Sequence, residues 1–133
     1  METFALLLQG MATSFELLNL GLLIFGCLIG LFVGAMPGLG SVNGVAILIP
    51  ITFIVPPTAA IIFLAAVYYG AMYGGAISSV MLGIPGASTA VATVFDGRPL
   101  AAKGEAMTAL TAAAVGSFVG GTVSVILFTL FAP

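Results

Sequence analysis

From Leu17 to Phe95 the chain runs 79 consecutive residues without a formal charge. A helix crosses the hydrocarbon core of a bilayer in ~20 apolar residues, so this stretch alone has room for several crossings. Ala106–Pro133 is a second uncharged run of 28 residues. The six charges that exist are Glu2, Glu16, Asp96, Arg98, Lys103 and Glu105, giving 5% charged residues against 62% hydrophobic. A soluble domain carries ~25% charged residues, and a soluble core here would leave large apolar patches in water. The fold class expected is therefore all-α, a polytopic membrane protein with about four to five hydrophobic segments. A soluble enzyme does not fit. Two basic residues, each close to an acidic one, make no phosphate-binding patch, so no nucleic acid is expected as a partner. With no His and a single Cys, Cys27, disulfide frameworks, His–Cys metal centres and Cys–His nucleophiles have no raw material. The N-terminus carries Glu2 in place of a basic region, and apolar sequence continues far beyond any cleavage site, so no cleaved signal peptide is expected.

Residues 3–15 place Phe4, Leu7, Leu8, Met11 and Phe15 at helical spacing, the pattern of a short helix in the membrane interface. Thr13-Ser14-Phe15-Glu16 has the form of a capping box and predicts a new helix over about 14–36. Gly26, Gly30, Gly34 and Gly38 recur every fourth residue there, a stripe that suits close helix packing. Pro37-Gly38-Leu39-Gly40 breaks that helix. A shorter apolar piece follows over Ser41–Val55, closed by Pro56-Pro57. Thr58–Tyr73 reads as the next helix, ending at Gly74-Gly75. Ala76–Ile84 and Ala87–Phe95, divided by Pro85-Gly86, are each too short to span. They fit two halves of a broken helix or the arms of a re-entrant hairpin equally well. Asp96–Glu105 reads as a polar loop opening on an Asp-Gly turn, with ion ligation by Asp96 the less favoured reading. Ala106–Phe131 is a final span with Gly116 and Gly120. Tyr68, Tyr69 and Tyr73 fit an interfacial aromatic belt, and the basic pair Arg98 and Lys103 places its loop in the cytoplasm.

The two Pro-Gly breaks are the candidate functional positions. Irregular backbone at membrane depth leaves amides and carbonyls unpaired and persists only beside protein or a water-filled cavity. Each break is followed by small hydrogen-bonding residues, Ser41 and Asn43 after the first, Ser88 and Thr89 after the second. Half-helix ends of this kind hold anionic groups in secondary transporters, and unwound carbonyls hold Na⁺. Simple kinking of packed helices is the competing reading. Residues 17–95 offer no carboxylate for a proton relay, nor an acid–base pair for an enzyme.

Over nearly its whole length the chain resembles the large membrane subunit of tripartite tricarboxylate transporters, the TctA-type permeases. The resemblance rests on Gly34-Ala35-Met36-Pro37-Gly38-Leu39-Gly40 running into Asn43-Gly44-Val45-Ala46-Ile47-Leu48-Ile49-Pro50. A second stretch is Tyr69-Gly70-Ala71-Met72-Tyr73-Gly74-Gly75-Ala76-Ile77-Ser78-Ser79. It continues through Ile84-Pro85-Gly86 to Asp96-Gly97-Arg98-Pro99-Leu100-Ala101 and Lys103-Gly104.

The resemblance implies ion-gradient-driven uptake of tricarboxylates or other organic-acid anions across the bacterial inner membrane. It implies a periplasmic solute-binding protein and a small membrane subunit as partners. No cofactor is implied beyond a coupling cation, Na⁺ or H⁺. The family's signature stretches map here to Pro37, Gly38, Gly40, Ser41 and Asn43, and to Pro85, Gly86, Ser88 and Thr89. Family members are roughly four times longer, so residues 1–133 are expected to form a single partial transmembrane domain, the N-terminal part of a longer permease. The alternative is a small structural or accessory membrane subunit with no substrate site of its own.

Overall fold

The structure, a computed structural model, describes residues 2–131, with side chains from Ala5 onward. The Phe4 side chain, part of the expected interfacial pattern, and Ala132–Pro133 lie outside the described residues. Six α-helices follow in order: α1 (Glu2–Ser14), α2 (Leu17–Ala35), α3 (Gly40–Leu48), α4 (Pro57–Leu82), α5 (Val91–Ala102) and α6 (Ala106–Phe131). A 3-10 turn, Ile49–Phe53, extends α3, and another, Ser88–Ala90, leads into α5. Three helices, α2, α4 and α6, are long and apolar enough to cross a membrane. The shorter apolar piece Gly40–Phe53 and α5 make up the remaining segments of an all-α membrane protein.

α2 and α4 form the core, and small residues let their backbones touch. A Cβ on Gly30 would collide with the Val67 carbonyl, and one on Gly34 with the Ala71 carbonyl. From the other side, Gly70 faces the Cys27 carbonyl and Gly74 the Leu31 carbonyl. Gly26 meets Phe63, Gly30 Val67 and Gly34 Ala71, so the two helices run in the same direction. Gly38 leaves the stripe: it is exposed in the turn after α2, with φ of 91° and no atom near its missing side chain.

The same packing corrects the expected end of α4. Gly74-Gly75 does not stop the helix, which continues to Leu82. Both glycines are buried, Gly74 against the α2 backbone and Gly75 against Ala87 and Ala90. The helix stops instead at Gly83, whose φ of 73° suits a residue without Cβ. Tyr73 therefore sits well inside α4, and its hydroxyl donates to the Leu110 carbonyl of α6 at 3.2 Å. It ties two helices together.

Two further expectations change. α1 runs to Ser14, so Thr13 is itself helical and cannot cap α2. Glu16 is the N-cap and caps through no side chain, while buried Asn19 donates to the Thr13 carbonyl at 2.7 Å. Asp96-Gly97-Arg98-Pro99 is not a turn but lies inside α5. Gly97 is buried against Val80, and Arg98 Nη1 donates to the Met81 carbonyl at 2.7 Å. These contacts hold the segment helical against its turn chemistry. The polar loop shrinks to Lys103–Glu105.

Candidate functional site

After Gly83 the chain doubles back. Gly86 lies against the Gly34 carbonyl, the Ser78 hydroxyl and the Gly75 α-carbon, and Ala87 against Gly75. Residues 84–87 thus run back along the last two turns of α4 as an extended strap, with Ala87 at φ −138° and ψ 157°. α5 then runs alongside α4 in the same direction, since Ala90 lies at Ser79, Gly97 at Val80 and Arg98 at Met81 and Gly83. The segment is neither a broken helix nor a hairpin of two short helices. Proline removes one donor from the strap, and the glycine lets it pass between α2 and α4.

The strap brings the two Pro-Gly breaks together. Gly40, the first residue of α3 at φ 67°, would direct a Cβ to 3.7 Å from the Gly86 carbonyl oxygen. Buried Ser41 donates its hydroxyl to Met72 Sδ at 3.5 Å, and Thr89, from the second break, donates to the same sulfur at 3.6 Å. A thioether is a weak acceptor, so neither hydroxyl is committed strongly. Met72 lies ten residues before the end of α4, ~15 Å along the axis at 1.5 Å per residue. The site therefore lies well inside α4, level with the last turn of α2.

Of the nine candidate positions, Gly40, Ser41, Pro85, Gly86 and Thr89 gather around this point. Pro37 and Gly38 form the exposed turn that feeds it, and Asn43 and Ser88 are exposed. Met72, Ser78 and Ser79 belong to the site without having been singled out. Ser79 donates to the Gly75 and Ala90 carbonyls at 2.8 and 3.0 Å, and Ser78 to the Gly75 carbonyl at 3.0 Å. The Ser79 bond to Ala90 ties the chain beyond the strap to α4, while Ser78 bonds within α4. The only signal for them was their run inside Tyr69–Ser79, where small and polar residues interrupt an apolar span.

The unpaired donors are on the backbone. Between Gly83 and Ala90 the backbone bonds are Gly83 N–H to the Ser79 carbonyl and Ala90 N–H to the Ala87 carbonyl. The amides of Gly86, Ala87 and Ser88 have no protein acceptor among the described residues. α3 begins without a side-chain cap, leaving its first-turn amides free as well. Beside Met72 and Thr89 a cleft of about 360 Å³ opens toward α6, lined also by Ala76, Thr93, Ala113 and Ser117. Donors without acceptors, two loosely held hydroxyls and no nearby carboxylate suit an anion.

Residues 20–133 match the family model described as the tripartite tricarboxylate transporter TctA family. All 133 residues align at 38% identity with an uncharacterized 52.8 kDa protein in the TAR-I ttuC' 3' region of Agrobacterium vitis. The chain spans 26% of that relative's length. No solved structure matches. With the family model covering most of its length, and the two breaks joined as one strap-and-helix site, the chain belongs to the TctA family of tripartite tricarboxylate transporters.

Proposed function

We propose that this chain forms part of a permease for secondary, cation-gradient-driven uptake of tricarboxylates or other organic-acid anions, as a multi-pass component of the bacterial inner membrane. A periplasmic solute-binding protein hands over the substrate and a small membrane subunit completes the assembly. The observation that carries this reading is the set of unpaired strap amides where the end of α2 meets α4. In lipid each unpaired group costs several kcal/mol, and an anionic carboxylate with its water is the partner that satisfies them. The substrate is held by amides, helix ends and the Ser41 and Thr89 hydroxyls, because the span from Leu17 to Phe95 offers no basic side chain. The accessory-subunit reading relied on glycine stripes for packing between subunits. The α2 stripe packs on α4 within this chain, which leaves that reading only Gly116 and Gly120 of α6, with no atom within 4 Å of either.

The test is Ser41→Ala and Thr89→Val, singly and together, in the full-length permease. Losing a hydrogen bond to a charged group lowers affinity about tenfold or more, so uptake at low substrate falls by that factor while membrane insertion is retained. Uptake unchanged in the double variant overturns the site.

A further inference from the structure

Tyr69 and Tyr73 are one turn apart on α4 and both meet α6, yet only Tyr73 is satisfied. The Tyr73 hydroxyl donates to the Leu110 carbonyl at 3.2 Å. Tyr69, 67% exposed, lines a gap of about 480 Å³ between the two helices, with Ser117, Gly121 and Val125 on the far wall. α6 leaves α4 beyond this point: Ala109 is buried, whereas every residue from Val115 to Phe131 is exposed. Among the described residues the hydroxyls of Tyr69 and its neighbour Tyr68 have no hydrogen-bond partner. The two rings meet edge to face with centroids 6.1 Å apart, a contact that favours one orientation of the pair. Tyr69 stands halfway along the 26 residues of α4, a helix long and apolar enough to cross a membrane. When α4 crosses, the nearest interface is ~15 Å away, half the hydrocarbon thickness, beyond the reach of a tyrosine side chain. A hydroxyl facing lipid there has no water to bond and is strongly disfavoured. On α6 a Cβ at Gly116, Gly120 or Gly121 meets no atom within 4 Å, whereas the glycines of α2 are filled by α4.

We propose that the gap between α4 and α6 receives a membrane helix from the rest of the permease polypeptide. That helix carries a hydrogen-bond acceptor for Tyr69 and packs on Ser117 and Gly121, where small residues allow close approach. The chain spans 26% of the length of its 52.8 kDa relative, and a protein of that length brings further segments at the high effective concentration of one polypeptide. A lipid tail offers Tyr69 no acceptor. The apolar wall of Phe118, Val125 and Ile126 does not suit an organic-acid anion. The inference rests on the reading of this chain as part of a longer permease, and not on what that permease carries.

The experiment places the photo-cross-linker p-benzoylphenylalanine at Tyr69 of the full-length permease, in membranes without added substrate, and maps the product by mass spectrometry. The expected product keeps the mass of one polypeptide and joins residue 69 to a segment outside residues 1–133. The same probe at Tyr73 should join α6, as the bond to Leu110 requires. A Tyr69 adduct with lipid alone, with residues 1–133 alone, with a second copy at twice the mass or with a separate subunit overturns the proposal, as does no adduct at all. If the probe prevents assembly, Gly121→Leu decides. A Cβ at Gly121 meets nothing within this chain, so a fall of several degrees in the unfolding temperature of the full-length permease reads the docked helix. An unchanged temperature overturns it. Organic-acid uptake is measured separately on the unaltered permease. Absent uptake with the expected cross-link sinks the transport reading and leaves the interface standing; uptake with a lipid adduct sinks the interface alone.

Discussion

The carbonyl oxygen of Gly34, in the last turn of α2, occupies the space that a side chain on Gly86 would need. That contact joins the two Pro-Gly breaks and sets how deep the strap lies. A Cβ at Gly86 would also stand 2.7 Å from Ser78 Oγ and 2.8 Å from the Gly75 α-carbon, so no single side-chain movement makes room. Gly86→Ala is expected to cost about 1–3 kcal/mol, the range for overpacking, and to lift the strap off α4. Thermal unfolding in detergent checks the first effect and organic-acid uptake the second; both fall together.

The α2–α4 contact makes a sharper comparison on one helix. A Cβ on Gly30 meets the Val67 carbonyl, Ala71 N at 2.9 Å and the Gly70 α-carbon at 3.0 Å, whereas Gly21 has no atom within 4 Å. Gly30→Ala should separate the helices and destabilise the chain by about 1–3 kcal/mol. Gly21→Ala should be neutral or slightly stabilising, because alanine is the better helix former by about 1 kcal/mol. Equal unfolding temperatures for the two variants would remove the close packing from the account.

Spans and breaks were legible because both are local: uninterrupted apolar length marks α2 and α6, and Pro-Gly marks the ends of regular backbone. What was not legible depends on contacts across the fold. Gly74-Gly75 has the chemistry of a helix end, and the α2 backbone against Gly74 with Ala87 and Ala90 against Gly75 explains why the helix goes on. Asp96-Gly97-Arg98-Pro99 has the chemistry of a turn, and only Val80 packed on Gly97 and the Met81 carbonyl bound to Arg98 hold it helical. The candidate site was half visible. Ser41 and Thr89 follow from the breaks, but Met72, where they meet, is an ordinary apolar residue in an apolar helix until the fold places it between them.

Met72 supplies the acceptor shared by Ser41 and Thr89. Met72→Leu keeps the volume, so packing loses less than about 1.5 kcal/mol, while Ser41 and Thr89 lose their shared weak acceptor. The two hydroxyls are then no longer registered against each other. Uptake kinetics should show a raised KM for the organic acid with insertion intact. Met81→Leu is the control, since the Met81 side chain is half exposed and only its carbonyl is used.

Arg98 caps the C-terminal end of α4 from a neighbouring helix. A cation at a helix C-terminus contributes about 0.3–1 kcal/mol at an exposed site, and Arg98 is exposed. Arg98→Met should therefore unfold only slightly earlier, yet hydrogen exchange in residues 79–83 should quicken, because the α4 terminus loses its tie to α5. Arg98→Lys should recover part of the protection. Unchanged exchange in Arg98→Met would show that Gly97 packing on Val80 holds α5 without the cap.

Orientation follows from the fold once one side is fixed. α2 and α4 run in the same direction, so their C-terminal ends face one side of the membrane, and the direction of α5 brings Lys103–Glu105 to that side as well. The positive-inside rule, applied to Arg98 and Lys103, predicts the cytoplasm for that side. In a Cys27→Ala background, Ala102→Cys should resist an impermeant thiol reagent in intact cells and react after permeabilisation. Thr58→Cys, at the opposite end of α4 and exposed, should react in intact cells. Reaction of Ala102→Cys from outside, with protection of Thr58→Cys, would invert the chain. The strap lies nearer the C-terminal end of α4, so inversion would place it nearer the periplasm and make it the first binding point after the solute-binding protein.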